Sequence, residues 1–410
     1  MALFQKLSGE EAADRGLTCS FCGKEPGENS ELVACEKAVI CDACIATCVD
    51  IVSRDEAASD PDAIGDAEQE EPESEPEEAP AKRMVFRLLS EADIARLISI
   101  DDLMDPMEMA LRLFSSGQVV QPVRVVLPVG NGSAAFALMP AYGREPAVLG
   151  AKLVTVFNTN TELDVPTHLA TVVLLNPETG ALFALLGGTY ITELRTAAVS
   201  AVSVNLLARD DAAILAIIGS GVQARSHLRA IEQAWELSEV RVWSPTPEHQ
   251  DAFVEEMRSS TTARLIGADS PEDAVRGADL VVLATSSSEP VIESSWIRDG
   301  AHIISVGACR PEQREMDPAL VTRGRLFVDS RAAALVESGD IVQGIRDRLF
   351  TPSHIIGELG DLLDKRVEGR RSPRDVTIFK SLGLAVEDIV AAELAYRRAL
   401  TQGMGLDLEL

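Results

Sequence analysis

The run Ala213 to Ile218 is wholly apolar and stops at Gly219-Ser220-Gly221-Val222-Gln223-Ala224, where a helix-forming sequence begins. A strand with no polar residue is stable only when other strands flank it and both of its faces are covered. Downstream residues provide those neighbours. Apolar runs at Val240 to Trp243, Leu280 to Ala284, His302 to Val306 and Leu326 to Val328 recur at the spacing of strand-helix units, which predicts an α/β fold with a doubly wound parallel sheet. Upstream, Arg124 to Val129 and Leu153 to Phe157 read as buried strands, Thr171 to Leu175 continues the pattern, and an Ala-rich helix is predicted over Thr196 to Ala208. Residues 376–400 carry a helical pattern, so the C-terminus is expected to pack back on the first half.

The glycine turn carries chemistry of its own. In a G-x-G-x-x-A sequence between a strand and a helix, Gly219 makes the tight turn, Gly221 lets the backbone approach a pyrophosphate, and Ala224 permits close helix packing. The free N–H groups and dipole of the helix start then stabilise the phosphates. This is a dinucleotide site. The next strand ends Val242-Trp243-Ser244-Pro245-Thr246, with no Asp or Glu for the ribose hydroxyls. That tilts the cofactor toward NADP(H) over NAD(H), with Ser244 and Thr246 at the 2′-phosphate, although no Arg follows.

The chain has 410 residues, enough for two to three domains, and a formal net charge of −28. The charge is concentrated: residues 55–80 hold 12 acids, no base, and Ile64 as their one large aliphatic side chain. Such a segment cannot offset the entropy of ordering, so it is expected to be a disordered acidic linker between a small module (15–54) and a large one (81–410). An acidic interaction tail is the other reading. Clustered Lys and Arg are absent, which argues against nucleic acid and against anionic membranes as partners. No apolar run approaches the roughly 20 residues that cross a bilayer. Charges also fall where a signal peptide would need its apolar region. A soluble, cytoplasmic protein is expected.

Six of the seven cysteines lie between residues 19 and 48. Cys19-x2-Cys22 and Cys41-x2-Cys44, with 18 residues between the pairs, form two knuckles, each able to hold one edge of a tetrahedral Zn²⁺ site. Four thiolates close the coordination shell, so the zinc is expected to be structural. Cys35 and Cys48 read as packing residues. Cys309 reads as a small buried residue rather than a reactive thiol, because no base lies near it in sequence.

Three cations stand in apolar surroundings: Arg124 in QPVRVVLPV, Lys152 in VLGAKLVTVF, and Arg195 before TAAVSAVSV. Burying such a charge unpaired costs several kcal/mol. Glu193 is near Arg195, but no acid accompanies Arg124 or Lys152 locally. A distant acid explains any one of them. All three beside a hydride cofactor point instead to a shared carboxylate substrate.

CSFCGKEPGENSELVACEKAVICDACIATCVDIV resembles the zinc-binding domain of the ClpX subunit of the Clp protease. The resemblance implies a small treble-clef-like module for dimerisation or partner recruitment. Unfolding activity does not carry over, because no G-x4-G-K-[ST] loop occurs in the chain. From about 84 to 400 the chain is similar to the ornithine cyclodeaminase/mu-crystallin family, through QPVRVVLPV, MPAY, KLVTVF, VPTHLATVVLLNPETG, ELRTAAVSAV, IIGSGVQARSH, GAHIISVGACRP, VESGDI and FKSLGLAVEDIVAA. That family implies a Rossmann domain (206–334) inserted in an α+β substrate and dimerisation domain (81–205 and 335–410), acting as a homodimer. By the same resemblance Arg124, Lys152 and Arg195 hold the substrate carboxylate, Lys152 and Arg195 are catalytic, and Glu337 borders the substrate pocket. His168, Thr196, residues 219–224, Ser244, Thr246, Thr285, Val306 and Ser381 line the cofactor.

Two departures qualify the match. Ornithine cyclodeaminases carry a Glu just before L-M-P, where this chain has Ala137, and an Asp where it has Cys309. The mu-crystallin branch, which reduces cyclic ketimines, also lacks that Asp and keeps the R-P pair seen at Arg310-Pro311. The expected function is therefore NAD(P)H-dependent reduction of a cyclic imino acid of the pyrroline- or piperideine-carboxylate type. Lys152, its pKa lowered by two cationic neighbours, would protonate the imine nitrogen. The alternatives are an ornithine cyclodeaminase or amino-acid dehydrogenase, and a non-catalytic binding protein that docks to a Clp-type partner.

Overall fold

The computed structural model describes residues 84–410 apart from 132, 133 and 164, together with short stretches between residues 5 and 45. The acidic linker 55–80 lies outside the described residues. The chain divides into two units, Met1–Ala79 and Pro80–Leu410. In the first, Gln5–Ser8, Glu31–Ala34 and Val39–Cys41 form an antiparallel three-stranded sheet with Leu7 and Leu32 buried.

In the second unit, one sheet has eight parallel strands. Their order is Arg264–Gly267, Glu239–Trp243, Ile214–Ile218, Leu280–Leu283, His302–Ser305, Thr377–Lys380, Arg325–Val328 and Ile355–Glu358. Its central strands are buried throughout because alternate side chains feed two different cores. Leu215, Ile217, Leu280, Val282, Ile304, Phe327 and Phe379 enter one core, while Ala216, Ile218, Val281, Leu283, Ile303, Leu326 and Ile378 enter the other.

Two of these strands come from the C-terminal stretch that the sequence reading gave to the substrate domain, so the sheet overrides a boundary at 334/335. Thr377–Lys380 is an interior strand, sixth of the eight, and the helix predicted over 376–400 begins only at Ala385. Four apolar-flanked residues cannot declare their period; pairing with His302–Ser305 and Arg325–Val328 decides it.

The other large sheet is mixed and mostly antiparallel, in the order Leu406–Glu409, Val85–Leu89, Leu182–Gly187, His168–Leu175, Val148–Phe157, Ala134–Gly143 and Val119–Val120. Val125–Val129, expected to be buried, pairs among the described residues only with Ala134–Gly143 and leaves Val125, Val126 and Leu127 more than half exposed. Arg124 lies just before that strand.

The helix Thr189–Leu207 packs between the sheets. Every residue from Leu194 to Val204 is buried, polar ones included, as suits a helix covered on all sides along that stretch. It starts seven residues before the predicted Thr196, because the distant Glu91 carboxylate accepts from Thr189 N and Tyr190 N, both at 2.9 Å. The helix Ala385–Gln402 packs on the mixed sheet and brings the C-terminus back onto the first half of the unit.

Candidate active site

Five of the predicted cofactor residues follow the carboxyl ends of five adjacent parallel strands: Ser244, Gly219, Thr285, Val306 and Ser381. Ligands bind at that edge in doubly wound sheets. Gly219 has φ +113°, and a Cβ there would lie 2.4 Å from Ala284 O, so the turn excludes any side chain. Gly221 begins the helix Val222–Ala234 with no side-chain cap, and a Cβ on it would meet nothing within 4 Å. The helix start thus has N–H groups without a side-chain cap and open space beside Gly221, which fits a pyrophosphate. Ala224 is fully buried and Val222 exposed. Ser220 Oγ donates to Ser244 Oγ at 2.9 Å, and Thr246 holds the N-cap position of the helix Pro247–Met257 without a side-chain cap bond. Gln223 has a buried Oε1 with no hydrogen-bond partner among the described residues, and its carbonyl is bonded to His227 Nδ1 at 2.7 Å.

The remaining strand ends are held by carboxylates that sequence reading missed. Glu315, fully buried, accepts from Thr285 N and Oγ1 (2.7 and 2.9 Å), Ser305 Oγ (2.9 Å), Gly307 N (2.9 Å) and Ala308 N (3.1 Å). One side chain therefore ties together the ends of two strands. Asp329 accepts from Gly383 N at 2.6 Å and from Ser381 Oγ at 3.4 Å, shaping the 381–383 loop. Thr196 is buried, its hydroxyl donating to Thr192 O at 2.6 Å. His168 opens its strand and is exposed; desolvation and then the Arg310 charge lower its pKa.

The three cations converge, and each has a protein acid. Arg124 Nε lies 3.0 Å from Glu337 Oε1, and its Nη2 donates to Leu382 O and Gly383 O at 2.6 and 3.2 Å. Lys152 Nζ lies 2.7 Å from Asp388 Oδ2. Arg195 donates through Nε to Asp388 Oδ1 and through Nη1 to Glu387 Oε2, both at 2.8 Å. No acid stands near Arg124 or Lys152 in sequence, and the acids that pair with them are remote in the chain, the alternative that held for any single cation. Glu387 and Asp388 stand in the first turn of a helix, where acids are common because they complement the helix dipole, so nothing in the local sequence sets them apart.

The pairing does not exhaust the donors. Arg124 Nη1 and Arg195 Nη2 make no hydrogen bond to a described residue. Arg124, Glu337, Phe114, Met139 and Gly383 border one cleft. Burial pushes Lys152 down to about 8, and the charges of Arg195 and Arg124 act in the same direction, against Asp388. Burial likewise raises Glu387 to about 7, and raises Glu337 against the pull of Arg124. Glu337 Oε2 is buried with no hydrogen-bond partner among the described residues.

Ala137 lies on the inward face of its strand, two residues from Met139, so no carboxylate enters the cleft from that position. Cys309 is partly buried, its thiol contacting Val306 O at 3.2 Å, and desolvation raises its pKa, opposite to what a reactive thiol needs.

In the small unit, the sulfurs of Cys19, Cys41 and Cys44 lie within 4.8 Å of one another, with Cys19 and Cys44 3.9 Å apart. Tetrahedral Zn–S bonds of about 2.3 Å place sulfurs about 3.8 Å apart, so these three fit a zinc site. Cys22, Cys35 and Cys48 lie outside the described residues.

Together these features define an α/β nucleotide-binding protein with a cleft of carboxylate-paired cations and a separate thiolate cluster. The model of the ornithine cyclodeaminase/mu-crystallin family matches residues 84–403, and that of the ClpX C4-type zinc finger matches residues 17–54. The chain is 40% identical over 297 residues to the ketimine reductase mu-crystallin of Mus musculus, covering 72% of this chain and 91% of that protein. It is 34% identical over 323 residues to the Delta(1)-pyrroline-2-carboxylate reductase of Bacillus cereus, covering 78% and 99%. The solved structure of Thermococcus litoralis Delta(1)-pyrroline-2-carboxylate reductase, in complex with NADH and L-proline, has a TM-score of 0.77 at 36% identity and covers 79% of this chain and 100% of that one. The chain belongs to the ornithine cyclodeaminase/mu-crystallin family.

Proposed function

We propose that the protein reduces the C=N bond of a cyclic imino acid, of the pyrroline- or piperideine-carboxylate type, with NAD(P)H. The observation that carries this reading is the convergence of Arg124, Lys152 and Arg195 on one site next to the strand ends that fit a dinucleotide. NAD(P)H, when bound there, supplies the hydride. Arg124 Nη1 and Arg195 Nη2 are the donors available to the substrate carboxylate, and fixing it orients the C=N carbon. Lys152, with a pKa of about 8, is poised to give a proton to the nitrogen near neutral pH. Ala137 and Cys309, which replace the two carboxylates of cyclodeaminases, weigh against ornithine as substrate. The relatives named as ketimine and pyrroline-carboxylate reductases support the same reaction class.

The preference for NADP(H) over NAD(H) rests on Ser244 and Thr246. The exposed apolar strand Val125–Val129 supports a homodimer. We assign the zinc module to dimerisation or capture of a protein partner. A cytoplasmic location, where thiols stay reduced, suits its cysteines. The test is spectrophotometric: NADH and NADPH oxidation across several cyclic imino acids, with ornithine plus NAD⁺ as the competing assay. Oxidation with a pyrroline- or piperideine-carboxylate is expected; ammonia release from ornithine without imine reduction would refute the reading.

A further inference from the structure

Asp388 is the point at which the two most deeply buried site cations meet. It is 0% exposed, with Oδ2 2.7 Å from Lys152 Nζ and Oδ1 2.8 Å from Arg195 Nε. Its neighbour Glu387 does different work, since Oε2 accepts from Arg195 Nη1 and, at 3.1 Å, from Leu384 N at the start of its own helix. Among the described residues Asp388 is the one carboxylate within ion-pair distance of Lys152. The charged groups around the pair are Arg195 from the helix Thr189–Leu207, Glu387 on the same helix as Asp388, and Arg124 and Asp329 at longer range; the Thr192 hydroxyl, 3.3 Å from Lys152 Nζ, is neutral. Apart from the acids, everything that acts on Lys152 favours its neutral form: burial, Arg195 and Arg124.

We propose that Asp388 is a positioning residue that keeps Lys152 protonated and aimed at the substrate nitrogen, with Arg195 locked beside it. The inference rests on the imine-reductase reading. In that reaction the substrate carbon takes the hydride, Lys152 Nζ gives one proton to the nitrogen, and a proton from solvent restores the ammonium. A carboxylate at 2.7 Å keeps the ammonium form populated between turnovers, at pH values where a buried lysine among cations would lose its proton.

The test is Asp388→Asn, which keeps the shape and removes the charge. The alkaline limb of the kcat/KM profile is expected to move down by about one pH unit or more, so that the loss at pH 8 is about fivefold or more greater than at pH 6; Asp388→Glu should recover part of it. A second readout needs neither cofactor nor turnover: calorimetric binding of L-proline across pH, whose alkaline weakening should shift in the same direction. Lys152→Arg, with a charge that does not titrate in this range, should abolish that weakening, and it keeps the proposal testable if Asp388→Asn fails to fold. A loss that is uniform with pH in both readouts, or an alkaline limb that persists in Lys152→Arg, overturns the proposal. If the wild type binds L-proline with the stated pH dependence but reduces no cyclic imine, the functional reading fails while the role of Asp388 stands.

Discussion

Two glycines of one turn should fail in different ways when each is replaced by alanine. At Gly221 the backbone has φ −80° and ψ −169°, accessible to any residue, and a Cβ would meet nothing within 4 Å. Folding should lose about 1 kcal/mol or less, the difference between Gly and Ala at a helix N-cap. The new methyl would instead occupy the space in which a pyrophosphate meets the helix N–H groups. Displacing one charge-assisted hydrogen bond costs about 1.5–3 kcal/mol, so NADH binding should weaken by about ten- to a hundredfold. At Gly219 the φ of +113° and the 2.4 Å approach to Ala284 O make alanine a folding defect, with a strain cost of about 1–3 kcal/mol before any backbone shift. Fluorescence titration with NADH and thermal unfolding, run on both variants, separate the two effects. If Gly221→Ala bound NADH within about twofold of wild type, the pyrophosphate would not lie on this helix start.

Three further outcomes follow from the packing and charge of the site. Arg124→Met should raise the KM for the imino acid by about tenfold or more, since it removes a carboxylate donor and leaves Glu337 buried without its cation; an unchanged KM in steady-state kinetics would exclude Arg124 from substrate binding. Cys41→Ser should release zinc measurable by atomic absorption, and undiminished metal content would rule out the Cys19, Cys41 and Cys44 cluster as the site. Phe379→Ala, at a fully buried position of an interior strand, should cost about 3–5 kcal/mol in urea denaturation, whereas a loss under about 1 kcal/mol would contradict its place in the core.

Much of the fold could be read from local pattern. Ile214–Ile218 and its glycine turn, the strands Glu239–Trp243, Leu280–Leu283, His302–Ser305 and Arg325–Val328, and the three unusual cations stand out because each is a short, mainly apolar run or an interruption of one. Thr377–Lys380 did not, since only Ile378 and Phe379 are apolar, the helical pattern that follows absorbs them, and the neighbouring strands are far away in the chain. Val125–Val129 misled for the converse reason: its composition is that of a core strand, and only its position, paired on one side, makes it exposed.

By itself the sequence determined which residues carry chemistry: a phosphate-cradling turn, three cations and four paired cysteines, each set by residue type and short spacing. Tertiary structure alone decided what those residues do to one another. Asp388 and Glu387 are 193 and 192 positions from Arg195, and Glu337 is more than 200 from Arg124, so no local rule connects them. Yet these contacts set the protonation of Lys152 and the direction of each guanidinium, because in a buried site a charge is governed by the few groups within about 4 Å of it.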